Sequence, residues 1–332
     1  MKIGFTYDLK DQYLAEGYSP LEAAEFDSLE TIEGIESALL RHGHSVDRIG
    51  KLSDLLGRLA RGDRWDLVFN IAEGLRGVAR ESQVPALLEA YEIPVTFADS
   101  LTLAVCLHKG YCKDVVKSHG IATAPFIVVD DPAMDFHAIN LAYPLFAKPV
   151  AEGTGKGVAA TGKVANPDRL REICLELMDR FGQPVIVEEF LPGREFTVGI
   201  VGTGADARVL GVMEVVLLAT ADPEVYTFEN KDKYEDRVTY RLVTFDNEAM
   251  GAAEIALASY RILGCRDAGR VDIRSDAAAR PQFMEINPLA GLNPRHSDLP
   301  ILCRLLDIEY DRLIGDIVAS AGKRVKHGTT AL

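Results

Sequence analysis

The sequence predicts a mixed α/β fold built from more than one domain. In roughly the first hundred residues, predicted strands and helices alternate about every 15 to 20 residues, which is typical of a parallel α/β sheet. Beyond Leu101 the pattern changes to strands interrupted by a glycine-rich loop and by long helices. A chain of 332 residues is also long enough for two or three domains, each with a buried core.

The alternation of strands and helices places a first domain at residues 1–105. Its longest predicted helix, Leu21–His42, carries Ile32, Ile35 and Leu39 at spacings of three and four residues, the period of a helix with one buried face. The other predicted elements of this domain are helices at Leu52–Arg61 and Ser82–Tyr91, strands at Lys2–Tyr7, His44–Ile49, Trp65–Ile71 and Pro94–Phe97, and a loop at Asp11–Pro20.

Two further lobes are predicted at residues 106–185 and 186–325. A helix at Leu103–His119 leads into the first of them, and the strand Val185–Phe190 is expected to cross into the second. The remaining predicted elements are strands at Phe126–Val129, Leu145–Pro149, Gly157–Thr161, Glu195–Val201, Arg208–Leu218 and Pro281–Asn287, and helices at Pro167–Phe181, Ala249–Leu263, Leu299–Leu306 and Tyr310–Ser320.

Composition and charge favour a cytoplasmic enzyme. Apolar residues are 48% and charged residues 26% of the chain, as in ordinary globular proteins. The formal net charge of -14 argues against a nucleic-acid partner, which needs a basic face. Five scattered cysteines without a C-x-x-C pair fit buried thiols in a reducing compartment. The run from Met1 to Asp8 predicts a strand rather than a signal peptide, and no apolar run is long enough to span a membrane.

The segment from Asp272 to Asn287 predicts a metal site. Glu285 and Asn287 lie two residues apart on a predicted strand, so their side chains point to one face. Asp272 lies on an earlier apolar run that would pair with this strand as a hairpin. Two carboxylates and an amide suit Mg²⁺, which prefers oxygen ligands and shares its shell with substrate phosphates.

The glycine-rich loop Gly153–Gly157 and the preceding Lys148 predict a phosphate site. The loop matches neither a Walker loop nor a Rossmann fingerprint, because the required spacing or the following helix is missing. Its three glycines let backbone amides approach phosphate oxygens, although a plain hairpin turn explains them as well. Lys148 ends an apolar strand, where a lysine needs an anionic partner, unless it is simply a surface lysine.

Lys109 offers a second cation for phosphates, with a solvated helix lysine as the alternative. The carboxylates from Glu188 to Glu195 lie at a strand end that suits adenine and ribose, or they form a solvated acidic edge. Lys233 lies in a polar run, Glu229–Arg237, that is equally typical of a surface loop.

Arg270 and the pair His296–Ser297 are candidate substrate ligands. Arg270 precedes Asp272 by two residues and therefore shares its strand face, where it either stabilises negative charge on an acyl centre or merely pairs with Asp272. His296–Ser297 lacks the G-x-S-x-G context of a hydrolase, so it suits a substrate carboxylate or a loop cap.

These motifs resemble the ATP-grasp superfamily and, more closely, the D-alanine:D-alanine ligases, from about Trp65 to Ile317. The run from Leu263 to Asp272 resembles the family's L-G-C-R-x-x-G-R-x-D, and the run from Glu285 to Pro300 resembles its E-x-N-x-x-P-G…H-S-x-x-P. The supporting matches are His108–Lys109 with Lys113, Ala147–Pro149 with Glu152–Gly153, Glu188–Glu195 and Lys233–Tyr234.

The resemblance implies an ATP-grasp fold of three lobes, with an N-terminal parallel α/β domain, and a homodimer formed through that domain. It implies a ligase that uses ATP and Mg²⁺ to make D-alanyl-D-alanine for peptidoglycan through an acyl phosphate. The implied ATP ligands are Lys109, Lys148, Glu152, Gly153, Thr154, Glu188, Glu189, Leu191, Glu195 and Lys233. The implied metal ligands are Asp272, Glu285 and Asn287, the catalytic residues Arg270, Gly291, Thr154 and Tyr234, and the substrate ligands Arg270, Gly291, His296, Ser297 and Glu25.

The chain departs from the family mainly at the first-substrate positions. Glu25 is a loose match to the family's N-terminal glutamate, and Asn70–Gly74 replaces its H-G-x-x-G-E-D-G. Thr154 stands in place of the glycine-loop serine, and Ala290 in place of the proline before Gly291. Two alternatives therefore remain open: the same chemistry on another amino-acid or peptide pair, and a nucleotide-binding protein without turnover.

Overall fold

The structure, a computed structural model, describes residues 1–153, 155–221, 225, 234–244 and 246–325. Within this part of the chain the strands form three sheets of three, four and five strands.

The first sheet is parallel, as predicted, with strand order β2-β1-β3. Pro94–Phe97 does not form the expected fourth strand, because only Val95 makes a single bridge to Val68. The elements are strands β1 (Lys2–Thr6), β2 (Ser45–Gly50) and β3 (Leu67–Asn70) and helices α1 (Lys10–Ala15), α2 (Leu29–Arg41), α3 (Leu52–Ala60) and α4 (Gln83–Ala90).

Helix α2 begins eight residues later than the sequence suggests. Ser28 is its N-cap, and the Ser28 side chain accepts a hydrogen bond from the Thr31 amide at 3.4 Å. The preceding residues, 20–26, form turns rather than helix, whereas α1 occupies part of the predicted loop. The turns matter for function, because they form one wall of a cavity described below.

The single helix expected at Leu103–His119 is two helices, α5 (Ser100–Leu107) and α6 (Lys109–Ser118). The chain leaves helical geometry at His108, whose ψ is 92°, and the His108 imidazole accepts a hydrogen bond from the Tyr111 amide at 3.2 Å. The break turns Lys109 into the first residue of α6, with its amide 2.9 Å from the carbonyl oxygen of Val150.

The second sheet is antiparallel, in the order β4-β7-β5-β6. The prediction that the strand at residues 185–190 crosses into a third lobe is wrong, since β7 pairs with β4 and β5 along its whole length. The elements are β4 (Phe126–Val129), β5 (Leu145–Pro149), β6 (Lys163–Val164), α7 (Pro167–Phe181) and β7 (Val185–Glu189).

The strand predicted at Gly157–Thr161 is absent from these described residues; turns and a short 3-10 helix, Ala160–Gly162, lie there. Gly157 explains the difference. Its φ is 74°, and a Cβ at this position would lie 2.5 Å from Cγ of Pro149. Glycine therefore lets the loop fold back against the end of β5 instead of extending.

The third sheet is antiparallel, in the order β10-β9-β8-β11-β12, and the C-terminal helices pack around it. Ile314 and Ile317 of the last helix join the core formed by Ile3 and Ile35, so the chain's C-terminal part supports the first sheet. The elements are β8 (Glu195–Val201), β9 (Arg208–Leu217), α8 (Tyr234–Arg237), β10 (Val238–Val243), α9 (Asn247–Ile262), β11 (Ala268–Ser275), β12 (Pro281–Asn287), α10 (Asp298–Leu305) and α11 (Tyr310–Gly322).

Across the described part of the chain, no helix is both long and apolar enough to cross a membrane.

Candidate active site

The centre of the site is the hairpin formed by β11 and β12, and the predicted pairing is confirmed. Asp272 faces Glu285 and Arg270 faces Asn287 across the antiparallel ladder, so all four side chains lie on one face. The register shifts just after Asp272, because Ile273 faces Phe283 and Met284 is the extra residue of a bulge.

Hydrogen bonds hold the predicted metal ligands in place. Asp272 is buried, and its Oδ1 accepts a hydrogen bond from the Thr197 hydroxyl at 3.0 Å. Asn287 Nδ2 lies 3.4 Å from Asp272 Oδ2, and Lys109 Nζ lies 3.6 Å from Glu285 Oε2. The two carboxylates and the carboxamide therefore converge on one place beside a lysine.

This donor set fits Mg²⁺. It supplies hard oxygen ligands, and a neighbouring cation suits the phosphates that usually complete the coordination shell of this ion. Asp272 and Glu285 are the only carboxylates of this set, and the third ligand is the amide of Asn287. Among the described residues, no three His, Cys, Asp or Glu side chains are grouped so that they could hold a metal ion. The fit thus depends on the amide oxygen of Asn287 and on oxygens from a ligand.

Lys148 is buried and has Glu188 as the anionic partner that a lysine on an apolar strand was expected to need. Its Nζ lies 2.8 Å from Glu188 Oε1, and Lys113 donates a hydrogen bond to Glu188 Oε2. Burial raises the pKa of Glu188, but Lys113 and Lys148 outweigh it and lower this pKa to about 2. Burial likewise acts to lower the pKa of Lys148, yet the Glu188 and Glu285 carboxylates leave it raised.

A first cavity lies between the second and third sheets, next to this ion triad. Lys148, Glu285 and Asp272 line it on one side, and Leu191 and Phe190 supply an apolar wall. Three other predicted nucleotide ligands also line it, namely Glu188, Glu189 and Glu195. Of the remaining described ones, Gly153 lines a second cavity instead, and Lys109 and Glu152 line neither.

All three of those carboxylates have protein partners, and those of Glu188 are Lys113 and Lys148. Glu189 Oε1 accepts a hydrogen bond from the Ala142 amide at 2.8 Å. Glu195 Oε2 lies 3.4 Å from Arg274 Nη1, and the Arg274 guanidinium lies over the Phe190 ring at 4.9 Å. Arg274 is a site residue that the sequence analysis missed, although its position two residues after Asp272 on the same strand face gives a signal.

A second cavity of about 780 Å³ opens farther along the same face of the hairpin, against the N-terminal domain. Arg270, Asn287 and Gly291 line it, together with the turns at residues 20–28. Arg270 makes an ion pair with Asp298 and lies 3.4 Å from Asp272 Oδ2. Asp272 and Glu285 therefore line the first cavity, and Arg270 and Asn287 line the second.

His296 and Ser297 line the second cavity beside Gly291. The Ser297 hydroxyl accepts a hydrogen bond from the Asn293 amide at 3.0 Å, and the His296 amide donates to Asn293 Oδ1 at 3.0 Å. Both interpretations of this pair, as a loop cap and as a ligand of a substrate carboxylate, are compatible with that position.

Glu25 lies at the second cavity, but both of its carboxylate oxygens are engaged by protein groups. Oε2 accepts from Arg80 Nη2 at 2.7 Å, and Oε1 accepts from the Gly153 amide at 2.7 Å with Lys156 Nζ at 3.3 Å. Burial acts to raise the pKa of Glu25, but Arg80 and Lys156 leave it lowered. Glu25 thus ties the glycine loop to the N-terminal domain, a role that its loose motif match did not suggest.

Glu152 belongs to the same buried network. Its Oε1 accepts from Gln183 Nε2 at 2.6 Å, and its Oε2 lies 2.7 Å from Lys156 Nζ. The carbonyl oxygen of Glu152 accepts a hydrogen bond from Lys109 Nζ at 2.6 Å. Glu152 therefore holds Lys109 at the hairpin through its backbone.

Three predicted residues cannot be placed in the same detail. Thr154 and Lys233 lie outside the described residues, and Tyr234 is described only as the first residue of α8.

Arg80 and Lys113 are the most deeply buried cations that the sequence analysis left without a role. Arg80 donates to the Ala151 carbonyl oxygen at 2.6 Å in addition to Glu25, and Lys113 is fully buried. Lys113 lies four residues after Lys109 on α6, which places both on one helix face and was the available signal.

Fold and site together define an ATP-dependent ligase of the ATP-grasp fold. A family model described as "D-ala D-ala ligase C-terminus" matches residues 115–319. The D-alanine–D-alanine ligase of Bordetella petrii is 31% identical over 308 residues, covering 91% of this chain and 90% of its own. The enzyme of the same name from Aquifex aeolicus is 28% identical, covering 88% and 94%.

The chain therefore belongs to the D-alanine–D-alanine ligase family. A crystal structure of D-alanine–D-alanine ligase from Bacillus anthracis complexed with ATP superposes with a TM-score of 0.76 at 20% identity, covering 99% of this chain and all of that one. This likeness confirms the predicted ATP-grasp fold with an N-terminal parallel α/β domain.

Proposed function

We propose that this protein joins two molecules of D-alanine into D-alanyl-D-alanine for peptidoglycan synthesis, with ATP as the energy source and Mg²⁺ as the metal. The single observation that carries the proposal is the position of the β11–β12 hairpin between two cavities. One cavity has Lys148, with Lys109 next to its lining residue Glu285, for the phosphates, and the other has Arg270 for a developing oxyanion. The family membership supports the same reaction.

On the nucleotide side, Lys109 and Lys148 neutralise the phosphates, with Lys233 as a further predicted ligand. Leu191 and Phe190 contact the adenine, and Glu195 accepts from the ribose hydroxyls. Glu188 acts mainly through Lys148, because both of its oxygens are engaged by lysines. Glu189, Glu152, Gly153 and Thr154 complete the predicted nucleotide set.

On the substrate side, a carboxylate oxygen of the first D-alanine attacks the γ-phosphorus of ATP, and the β–γ bridging bond breaks to release ADP. The amine of the second D-alanine, having lost its extra proton, then attacks the acyl phosphate carbon and forms the C–N bond. The C–O bond to phosphate breaks, inorganic phosphate leaves, and the amide nitrogen gives up a proton.

The chain's own residues stabilise the charge that develops in these steps. Arg270 and the amide of Gly291 face the oxyanion of the tetrahedral intermediate. Ser297 and His296 hold the carboxylate of the second substrate, and Tyr234 and Thr154 complete the predicted catalytic set. Asp272, Glu285 and Asn287 hold Mg²⁺, which neutralises charge on the phosphates during transfer.

A cytoplasmic homodimer is part of the proposal. All five cysteines are free and buried, which suits a reducing compartment, and the family resemblance favours a dimer through the N-terminal domain. Light scattering of the purified protein tests the dimer, because a monomer mass at micromolar concentration contradicts it.

The decisive experiment measures phosphate release from ATP with D-alanine, with L-alanine and with no amino acid, and identifies the product by mass spectrometry. We expect D-alanine-dependent release and a stoichiometric amount of D-alanyl-D-alanine. Release with other amino-acid pairs alone indicates the same chemistry on a different substrate. No release with any amino acid, while ATP still binds, indicates a nucleotide-binding protein without turnover.

A further inference from the structure

Lys10 lines the second cavity without a partner for its charge. The residue is half-buried, and within the described part of the chain its ammonium group makes no hydrogen bond and no ion pair. It is also the one lysine among the described residues that lines this cavity. Ligand cavities typically place a few polar groups where they fix the orientation of the ligand, so an uncommitted ammonium group in the wall is available to an anionic ligand.

Lys10 belongs to the same wall of the cavity as Ser297. The Lys10 amide donates a hydrogen bond to the Asp27 carbonyl oxygen at 2.9 Å, which fixes the start of α1 against the turn before α2. The next residue of that turn, Ser28, accepts from Asn293 Nδ2 at 3.4 Å, and the Asn293 amide donates to the Ser297 hydroxyl oxygen at 3.0 Å. All five residues line the cavity, so this wall is continuous from the lysine to the serine.

Several acidic residues of the cavity already have cationic partners. Asp298 pairs with Arg270, and Glu30 Oε1 lies 2.8 Å from Arg295 Nε. Glu25 is bound by two cations of its own, one from the N-terminal domain and one from the glycine-rich loop. None of these ion pairs involves the lysine of α1, so the paired carboxylates do not consume its charge.

The three remaining carboxyl groups of the cavity, on Asp27, Glu73 and Glu81, are poor counter-ions for Lys10. Burial raises the pKa of Asp27 and of Glu81 to about 7, and it raises the pKa of Glu73 well above its ordinary value. Near neutral pH these groups therefore carry a proton for much of the time, because burial disfavours the charged form. The positive charge of Lys10 is thus left for a ligand.

The carboxylate of the second D-alanine is an anion that this wall has to bind. The carboxylate of the first D-alanine is consumed in the acyl phosphate, whereas that of the second survives as the C-terminus of the dipeptide. Taking a carboxylate out of water beside acidic side chains is costly without a cation. Arg270 is committed to Asp298 and to the oxyanion, and Ser297 offers a neutral hydroxyl. A further cation is therefore required.

We propose that Lys10 binds the carboxylate of the second D-alanine together with Ser297, and thereby selects amino acids over other amines as acceptors. This inference rests on the proposed function and adds one residue to its acceptor site. A charge-assisted hydrogen bond from the ammonium group holds the carboxylate and leaves the amine of the acceptor free to attack. An acceptor without a carboxylate leaves Lys10 unpaired, and the selectivity arises from this difference.

D-alaninamide tests this role, because it has no free carboxylate to activate and can enter only as the acceptor. D-alanine and D-alaninamide are offered at equal concentration with ATP and Mg²⁺, and mass spectrometry gives the ratio of D-alanyl-D-alanine to D-alanyl-D-alaninamide. This ratio does not depend on the amount of folded enzyme, and comparison between variants cancels the intrinsic reactivity of the two amines. We expect the ratio to fall by about tenfold or more in Lys10→Met, the size expected for loss of a hydrogen bond to a charged group.

Two control variants separate the Lys10 contact from a general loss of charge. Lys10→Arg keeps the cation and should keep most of the ratio, and Lys51→Met removes a lysine of the same domain that lies outside the cavity, paired with Glu16, and should leave the ratio unchanged. Lys10→Gln carries the same expectation as Lys10→Met if the latter is insoluble.

An unchanged product ratio in the neutral Lys10 variants overturns the inference while leaving D-alanine ligation intact. A lower total turnover with an unchanged ratio overturns it as well, because the lysine then acts on the first substrate or on the phosphates. If the unmodified protein forms neither product, the proposed function itself is contradicted.

Discussion

Lys148 Nζ lies 2.8 Å from Glu188 Oε1 beside the proposed nucleotide cavity. Lys113 engages the other oxygen of the same carboxylate, and all three side chains are buried. A buried carboxylate between two lysines fixes the position of both ammonium groups. We therefore propose that Glu188 positions Lys148 for the phosphates and that Lys113 positions Glu188.

Replacing Lys113 by methionine tests this chain of contacts. Removing one partner of a buried ion pair typically destabilises a protein by about 3–5 kcal/mol, and we expect a loss of this order in urea unfolding. We also expect a higher KM for ATP, because Glu188 draws Lys148 away from the phosphates. Lys117→Met, an exposed change on the same helix, serves as the control. An unchanged KM for ATP contradicts the positioning role.

The acid response of Glu188 gives a second prediction. Its pKa falls from an ordinary value of 4.5 to about 2 in the folded protein, so its ionised form stabilises the fold above about pH 4.5. This stabilisation is lost as the pH falls toward 2. The difference in unfolding free energy between the unmodified protein and Glu188→Gln should therefore narrow between pH 4.5 and 2. A difference that stays constant over this range rules out the ion triad as its source.

The metal site predicts the behaviour of Asp272→Asn combined with Glu285→Gln. The double variant keeps the shape of the hairpin and removes both carboxylates, so turnover should fall at least about 10²-fold, as when a single electrostatic group is lost. Isothermal titration with Mg²⁺ and an ATP analogue should show weaker metal binding. Full turnover in this variant rejects the assignment of these ligands.

Arg270→Lys separates charge from geometry at the substrate end of the hairpin. Lysine keeps the charge but loses the planar fork of the guanidinium, so we expect kcat to fall about 10²–10³-fold with little change in the KM for ATP. Arg274→Lys, on the same strand face but beside Glu195, should instead raise the KM for ATP. The assignment fails if the two variants exchange these effects.

Much of the fold and site follows from local patterns in the sequence. The alternating strands and helices predict the parallel sheet, and the spacing of Asp272, Glu285 and Asn287 predicts the paired hairpin, because strand geometry fixes which side chains share a face. The break at His108 is harder to predict, since it depends on a side chain capping a new helix within an otherwise continuous helical pattern.

The partners of Glu25 and Glu188 illustrate what sequence spacing does not contain. Arg80 reaches Glu25 from one segment, and Gly153 and Lys156 reach it from the glycine-rich loop, so only the tertiary structure reveals that its oxygens are engaged. Lys113 and Lys148 meet at Glu188 from a helix and a strand. Long-range ion pairs of this kind depend on how the lobes pack, which a local motif does not encode.

The bulge at Met284 makes the hairpin far more sensitive to deletion than to substitution. Met284 lines the nucleotide cavity, but its presence as a spacer matters more than its chemistry. Removing one residue here turns every following side chain of the strand to the opposite face. Glu285 and Asn287 would then both point away from the face that carries Asp272. Homologous sequences are therefore expected to vary in residue type at this position and to keep its length.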